Sequence, residues 1–346
     1  MKLSVIIPVY NVEKYVGKCL DTVLDQNLDV KDYEVIIVND GSTDDSLKIV
    51  QNYADINHHF KIIDKENGGA GSARNLGMDS AKGKYVYFID PDDYLLTNCL
   101  NKLIETSEQH NLDILTFLSQ SYCDTSLKSK SLFKKNAFSG SFGDNMITPI
   151  VNGEKYVAKV NYRSEVWWFL INREFLKATG LRFEEGRYLE DVAFSIALIL
   201  EAKKIAHLQL DTHRYRVTPG SAMNSIEPNH YLKIIRDIQC AALAFNPIIK
   251  TLENKKANPD CIARVKARQQ SLVFFSMIRM LKSTMSFEEV KLRMNEMIGI
   301  NAYPLNSFLG KDYHGVKYQI LVRLLNTERR FYFLFRFLNP VFKLRH

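Results

Sequence analysis

Short unbroken apolar runs alternate with helically spaced apolar positions through the first third of the chain. Leu3–Val9 is one such run, closing in Pro8-Val9-Tyr10-Asn11, as expected of a strand buried on both faces. Val12, Tyr15, Val16, Cys19, Leu20, Val23 and Leu24 then recur at the spacing of an amphipathic helix that reaches Gln26. Tyr33–Val38 is a second buried strand. The turn Asn39-Asp40-Gly41-Ser42-Thr43-Asp44 follows, with Ser and Asp side chains suited to cap a helix that turns Leu47, Val50 and Tyr53 inward. Phe60–Ile63 predicts a third strand, and Asn67-Gly68-Gly69-Ala70-Gly71-Ser72-Ala73-Arg74-Asn75 a Gly-rich turn entering a small-residue helix. Gly83 resets the chain into a strand over 85–89, with a helix over 97–109 and a strand over Leu112–Phe117 beyond it. Such strand-then-helix alternation predicts an α/β unit with a mostly parallel central sheet and right-handed crossovers.

The pattern then loosens. Residues 119–150 are rich in Ser, Lys and Asn with little periodicity, which predicts a mobile or functional loop. Trp167 and Trp168 stand together in a mixed region, Glu190–Leu200 opens a helix, and Ile205–Leu210 and His213–Val217 read as two short strands before the turn Pro219-Gly220-Ser221. From about 228 the pattern is helical to the end, with stripes over 228–249 and 261–281 and the capping box Ser286-x-x-Glu289. This divides the chain into residues 1–225 and a helical C-terminal extension over 226–346. In the tail, Arg329, Arg330, Arg336, Lys343 and Arg345 interrupt a run of aromatic and aliphatic residues, a composition suited to an anionic bilayer interface; a terminal helix docked on the core is the other reading. The Asn339-Pro340 pair is expected to break that helix.

Charge sharpens the division. Residues 1–110 carry 11 Lys+Arg against 18 Asp+Glu, whereas the remainder carries 35 against 21. A basic back half fits an anionic membrane surface or an anionic lipid-linked substrate at least as well as nucleic acid, and no nucleic-acid partner is expected. Five scattered cysteines without CxxC spacing suggest reduced thiols in a cytoplasmic protein. The N-terminus lacks the apolar core of a signal peptide, and no run of 18 apolar residues is present. Peripheral attachment at the inner face of the plasma membrane is the corresponding expectation; oligomeric state is not legible.

The candidate chemistry centres on Tyr85-Val86-Tyr87-Phe88-Ile89-Asp90-Pro91-Asp92-Asp93, an apolar strand ending in three carboxylates. Burying those charges is costly without a compensating cation, and ligand clefts in open α/β sheets lie beyond the strand carboxyl ends. Asp90 and Asp92, one residue apart, suit Mg²⁺ or Mn²⁺ shared with substrate phosphates; Asp93 suits metal binding or capping of the next helix equally. Asp40, also beyond a strand, suits contact with a base or ribose, or a helix cap. Gly68, Gly69 and Gly71 permit close approach of a ligand, and Arg74 suits a phosphate. The chain has no P-loop and no Gly-x-Gly-x-x-Gly after the first strand. Glu190-Asp191 suits a general base or a helix cap, Trp167 and Trp168 a sugar-stacking wall or core, Arg216 and Ser221 phosphate, and His213 a further metal ligand or a structural residue.

Taken together and in order, Pro8-Val9-Tyr10-Asn11, the Asn39–Asp44 turn, Gly68–Asn75, Gly83-Lys84-Tyr85, Phe88–Asp93 and Glu190-Asp191 make the chain resemble the family 2 glycosyltransferases of the GT-A fold, particularly bacterial members that build capsular or surface polysaccharides. The resemblance covers residues 1–118 strongly and Trp167–Ser221 less so, making 1–118 the nucleotide-binding half and 119–225 the acceptor side. It implies a UDP-linked sugar donor bound by Pro8, Tyr10, Asn11, Asp40, Gly69, Arg74, Asp90 and Arg216. It further implies metal held by the Asp-x-Asp pair Asp90 and Asp92, Asp191 as catalytic base, and an acceptor pocket formed by Glu190, Trp167 and Trp168. Tyr215-Arg216 and Gly220-Ser221 resemble a loop closing over the diphosphate. The implied reaction is inverting transfer of a single sugar to a hydroxyl of a saccharide or lipid-linked acceptor, since the Gln-x-x-Arg-Trp signature of polymerising synthases is missing. A metal-dependent nucleotidyltransferase and a non-catalytic sugar-nucleotide-binding protein are the competing classes.

Overall fold

A computed structural model describes residues 1–123, 126–130, 146–160, 162–217, 226–310 and 312–343. The chain divides into two compact units, Met1–Thr218 and Pro219–His346. In the first, β1 (Leu3–Val9), α1 (Val16–Leu24), β2 (Tyr33–Asp40), α2 (Ser46–Ile56), β3 (Phe60–Lys65), α3 (Ala70–Ser80) and β4 (Tyr85–Phe88) follow the expected alternation. Strand β5 (Tyr94–Leu95), α4 (Cys99–His110), β6 (Ile114–Cys123), β7 (Ser126–Lys130), α5 (Gly153–Lys159), β8 (Phe169–Asn172), α6 (Arg173–Thr179), α7 (Glu190–Glu201) and β9 (Ile205–Arg216) complete it.

The strands form one sheet in the order β3-β2-β1-β4-β8-β6-β9-β5, with β7 on the side of β6. Its β3-β2-β1-β4 half is parallel throughout, as is the β6–β9 pair, while β8 runs antiparallel between β4 and β6. Odd-numbered residues of β1, β2 and β4 (Val5, Ile37 and Tyr87 among them) pack with Cys19 and Leu20 of α1 and Leu103 of α4 in one core. Even-numbered Phe88 faces the other way, meeting Phe183 edge-on at 5.4 Å, which in turn stacks on Phe194 of α7 at 3.9 Å. Period-2 alternation with both faces buried explains why these strands read as unbroken apolar runs.

Two expectations give way here. The two short strands expected over 205–217 are one long strand, β9, which keeps its pairing with β6 through register shifts near Thr116–Ser119. Strand β6 likewise continues through 119–123, into the segment read as loop; residues 124–125 and 131–145 of that segment lie outside the described residues.

The second unit is helical: α8 (Pro228–Asn254), α9 (Pro259–Met280), α10 (Phe287–Gly299), α11 (Val316–Leu325) and α12 (Glu328–Lys343). Ser286 and Glu289 form the expected capping box at the start of α10. Helix α12 does not break at Asn339-Pro340 but runs on with Pro340 inside it. The missing N–H would have served the carbonyl of Arg336, an exposed residue, where solvent can replace the lost bond at little cost.

Candidate active site

Strands β1, β2 and β4 run parallel, so their carboxyl ends bring Pro8–Asn11, Asp40–Asp44 and Asp90–Asp93 to one edge of the sheet. Chain order reverses there: β2 lies on one side of β1 and β4 on the other, which opens a crevice at that edge. Pro8 is buried in β1, while Tyr10 and Asn11 are exposed at its mouth. Asn11 has φ +49 and is tied to the second loop, donating its N–H to Ser42 Oγ (3.2 Å) and accepting from the Thr43 N–H at Oδ1 (2.8 Å). Ahead of α2, Asp44 Oδ1 accepts from the Ser46 N–H (3.0 Å), while the N-cap residue Asp45 makes no side-chain cap bond.

Asp40 is almost fully buried and does not cap α2. It receives Lys65 Nζ (2.7 Å) and the Gly68 N–H (2.9 Å) at Oδ1, and the Gly69 N–H (2.8 Å) at Oδ2. A carboxylate at the end of β2 thereby holds the Gly-rich loop before α3. Gly69, at φ +87, makes the left-handed bend that only glycine takes without strain. Gly71 lies so close to the segment after Phe183 that an added Cβ would collide with the Glu184 carbonyl oxygen and crowd Glu190. The Gly68 carbonyl accepts from the Gly186 N–H (3.0 Å), and Asn75 fastens the same segment, donating to the Phe183 carbonyl and Glu185 Oε1 (3.0 Å each) and accepting from the Phe183 N–H (2.9 Å).

That docking carries the start of α7 to Arg74. The Arg74 guanidinium, buried in α3, pairs with Asp90 Oδ1 through Nη2 (2.6 Å) and with Glu190 Oε1 through Nη1. Burial opposes its charge, but the carboxylates of Asp90, Glu190 and Asp191 raise its pKa on balance. Arg74 therefore bridges the acidic strand tip and the helix bearing Asp191. Neither Glu190 nor Asp191 caps α7, whose N-cap is Leu189 in the left-handed region; both sit in its first turn, where the helix dipole favours negative charge. Asp191 keeps a solvent-accessible edge in dense surroundings. Burial, then the Glu190 charge beside it, pushes its carboxyl well above the ordinary carboxylate range, against the pull of Arg74.

At the strand tip the three aspartates differ. Asp90 is spoken for on one oxygen by Arg74. Asp93 is fully buried; Oδ1 accepts from the Arg216 N–H (2.8 Å), and Oδ2 lies 3.0 Å from His213 Nε2, although the two atoms are not aligned as a hydrogen bond. It caps no helix, since α4 begins at Cys99. Burial, then the charge of Asp90, holds the Asp93 carboxyl well above its usual range, and burial lowers His213 to about 3, so the imidazole is neutral at pH 7. His213 Nδ1 meets Ser119 Oγ at 2.8 Å, and its ring stacks on Trp167 at 4.3 Å. Asp92 is left as the carboxylate with no cation paired to it among the described residues. Burial, then the charges of Asp93 and Asp90, pushes it up to about 7.

An unpaired, strongly perturbed carboxylate beside a second one fits a hard divalent cation. Among the described residues no group of three or more such ligands converges, but Mg²⁺ is commonly held by one or two carboxylates completed by substrate phosphates. Asp90 and Asp92 are the residues that would hold it.

Arg216, at the end of β9, reaches the same tip: its Nε donates to the Asp92 carbonyl (2.7 Å), and its guanidinium lies over the rings of Tyr15 (5.0 Å), Tyr122 (5.7 Å) and Tyr94 (5.9 Å). Gly220 and Ser221 lie outside the described residues. Trp167 and Trp168 are both buried, so neither offers a face to a sugar as the stacking wall required; Trp167 instead packs the underside of the site between His213 and the Arg163 guanidinium. Sequence reasoning gave no role to Asn75, Ser119 or the three tyrosines around Arg216. Asn75 carried a signal, its place at the end of the Gly-rich motif; Ser119, Tyr94 and Tyr122 are brought in by strand pairing and Tyr15 by the start of α1.

A mixed α/β domain with a nucleotide-type crevice at the strand carboxyl ends, an Asp-x-Asp tip and a carboxylate-led helix facing it defines the GT-A class of sugar-nucleotide transferase folds. Residues 4–160 match the family model described as Glycosyl transferase family 2. That stretch of the first unit is therefore a family 2 glycosyltransferase domain. It is 33% identical over 227 residues to the uncharacterized glycosyltransferase EpsJ of Bacillus subtilis (strain 168), covering 63% of this chain and 62% of the relative. It is 28% identical over 241 residues to the poly(ribitol-phosphate) beta-N-acetylglucosaminyltransferase TarS of Staphylococcus aureus (strain Mu50 / ATCC 700699), covering 68% of this chain and 39% of TarS. The chain thus spans less than two thirds of the length of these relatives. Its fold superposes on the crystal structure of S. aureus TarS 1–349 in complex with UDP-GlcNAc with a TM-score of 0.68 at 21% identity, covering 100% of this chain and 93% of that one.

Proposed function

We propose that the protein transfers a single sugar from a UDP-sugar to a hydroxyl of a saccharide or lipid-linked saccharide in the assembly of a bacterial surface polysaccharide, with inversion at the anomeric carbon. The observation that carries this reading is the Arg74 bridge, which sets the Asp-x-Asp tip and the Asp191 helix against one another across the crevice. A UDP donor is supported by the shared fold with TarS, crystallised with UDP-GlcNAc, and a surface-polymer acceptor by relatives named as poly(ribitol-phosphate) glycosyltransferases. The division into a catalytic region over 1–225 and a helical region over 226–346 is part of the same proposal.

In this mechanism the exposed Tyr10 and Asn11 and the loop held by Asp40 receive the nucleotide, and Arg216 lies beside the diphosphate. Asp191 accepts the proton of the acceptor hydroxyl; the oxygen forms its bond to the anomeric carbon as the bond to the UDP oxygen breaks, and the electron pair leaves with UDP. A raised carboxyl pKa makes Asp191 a stronger base once ionised, and its accessible edge lets an acceptor reach it. A divalent ion held by Asp90 and Asp92 would supply charge neutralisation for the departing diphosphate. Glu190, committed to Arg74, positions rather than reacts. No helix among the described residues is long and apolar enough to cross a membrane, and we place the reaction at the cytoplasmic side of the plasma membrane.

The test is UDP release from a panel of UDP-sugars with Mg²⁺ or Mn²⁺ and cell-envelope extract as acceptor, followed by analysis of the anomeric configuration of the product. A nucleotidylated product, or donor turnover that persists unchanged in Asp191→Asn, would overturn the assignment.

A further inference from the structure

Helices α11 and α12 each bury one stripe and expose another. In α12, Phe331, Phe335 and Asn339 are buried, whereas Phe333 is 58% exposed, Phe337 62% and Val341 52%. Two residues along a helix is about 200° of rotation, so the exposed stripe lies on the side opposite the buried one. The Phe333 and Phe337 rings pack against each other at 4.3 Å, forming a continuous apolar ridge facing water. In α11, Val322 and Leu325 are buried, and Val316, Ile320 and Leu324 form an exposed stripe at i, i+4 and i+8, with Val316 70% exposed. Six large apolar side chains on two neighbouring helices are too many to be scattered surface residues, and their i, i+4 spacing marks faces built for contact.

The polar residues around them identify the contact. Over 316–343 the cations are Lys317, Arg323, Arg329, Arg330, Arg336 and Lys343, all exposed, and the sole acid is Glu328. Arg336 lies over the Phe287 ring at 4.2 Å and Arg330 donates to the Arg323 carbonyl at 3.0 Å, so part of this charge is held at the helix surface. A second copy would bring like charges together, which disfavours self-association through these faces. An acidic lipid surface meets both requirements, since apolar side chains enter the acyl boundary while the cations meet headgroup phosphates.

We propose that the outer faces of α11 and α12 form a docking surface for anionic bilayers. It would hold the enzyme where a lipid-linked acceptor is found, but it rests on the second unit alone and stands or falls independently of the sugar transfer.

The experiment is sedimentation of the full chain with vesicles of phosphatidylcholine, alone or with roughly 30 mol % phosphatidylglycerol, at low salt and again at about 0.5 M NaCl. Binding at least about 10-fold tighter to the anionic vesicles, lost at high salt, is expected. F333S/F337S should weaken it about 10-fold or more, since these exposed rings supply insertion, and R323Q/R329Q should reduce the preference for anionic lipid. Circular dichroism and UDP-sugar turnover without vesicles should be unchanged in both variants. Failure to bind anionic vesicles, or binding unaffected by F333S/F337S, would overturn the proposal. So would a concentration-dependent rise in mass that F333S/F337S abolishes, which would assign the faces to a second copy instead.

Discussion

Arg74 and Glu190 are 116 positions apart in sequence and form an ion pair in which both side chains are buried. The same guanidinium holds Asp90, so a single side chain fixes the distance between the acidic strand tip and the helix that presents Asp191. Replacing Arg74 by Ala leaves Glu190 buried without its cation and Asp90 without its partner. Removing one member of a buried pair typically costs about 3–5 kcal/mol, and we expect Arg74→Ala to lower the thermal midpoint accordingly. Arg74→Lys should restore part of the stability but little transfer, because one ammonium cannot serve two carboxylates with the geometry of a planar fork. Calorimetry beside a UDP-release assay separates the two effects.

Asp191→Asn should reduce transfer about 10²–10⁴-fold while leaving UDP-sugar binding near that of the parent protein, measured by calorimetric titration. Its effect on stability should run the other way. Asp191 titrates well above the usual carboxylate range in the folded protein, chiefly through burial, so between the unfolded and folded pKa the folded state binds the extra proton. Folding stability attributable to this group therefore falls as pH rises through that window. At neutral pH Asp191→Asn should melt no lower than the parent, and transfer by the parent should climb with pH through a region well above pH 4.

Asp92 gives a test of the metal reading. Because the carboxyl is pushed up to about 7 by burial and by Asp93 and Asp90, protons and divalent cations compete for it near neutrality. Added Mn²⁺ or Mg²⁺ with UDP should raise the thermal midpoint more at pH 8 than at pH 6. In Asp92→Asn that metal-dependent increment should disappear, and chelation should no longer change the melting curve. An increment of the same size in the variant would move the metal elsewhere.

Gly71→Ala should cost about 1–3 kcal/mol, as overpacking does, because the new methyl group meets the Glu184 backbone and not a side chain able to turn aside. The displaced segment carries Glu190, so transfer should fall with stability. Gly299→Ala, at the end of α10 with open space around its Cα, is the control and should melt within a degree or two of the parent.

Much of this could be read along the chain because the information is local. The unbroken apolar runs of β1, β2 and β4 require strands covered on both faces, and strand–helix alternation leaves few topologies besides a parallel sheet with crossovers. The strand-end position of Asp40 and Asp90–Asp93 followed from the same patterning, since polar residues end an apolar run where the strand leaves the core. Local information also misled. Asn339-Pro340 was expected to stop a helix that continues, because the cost of proline depends on whether the orphaned carbonyl is solvated, and of the two readings of Trp167 and Trp168, sugar-stacking wall or core, burial favours the core.

The ends of the parallel strands, the Gly-rich turn and the acidic tip were determined by the sequence alone, through side-chain periodicity and the backbone freedom of glycine. Which acidic groups share a cation, which is left for a metal and which has its pKa raised by full burial was decided only by the tertiary structure. Those properties depend on distance and desolvation between residues such as Arg74 and Glu190, or Asp93 and His213, that lie over a hundred positions apart and have no pattern connecting them until β9 and α7 are brought against the strand tip.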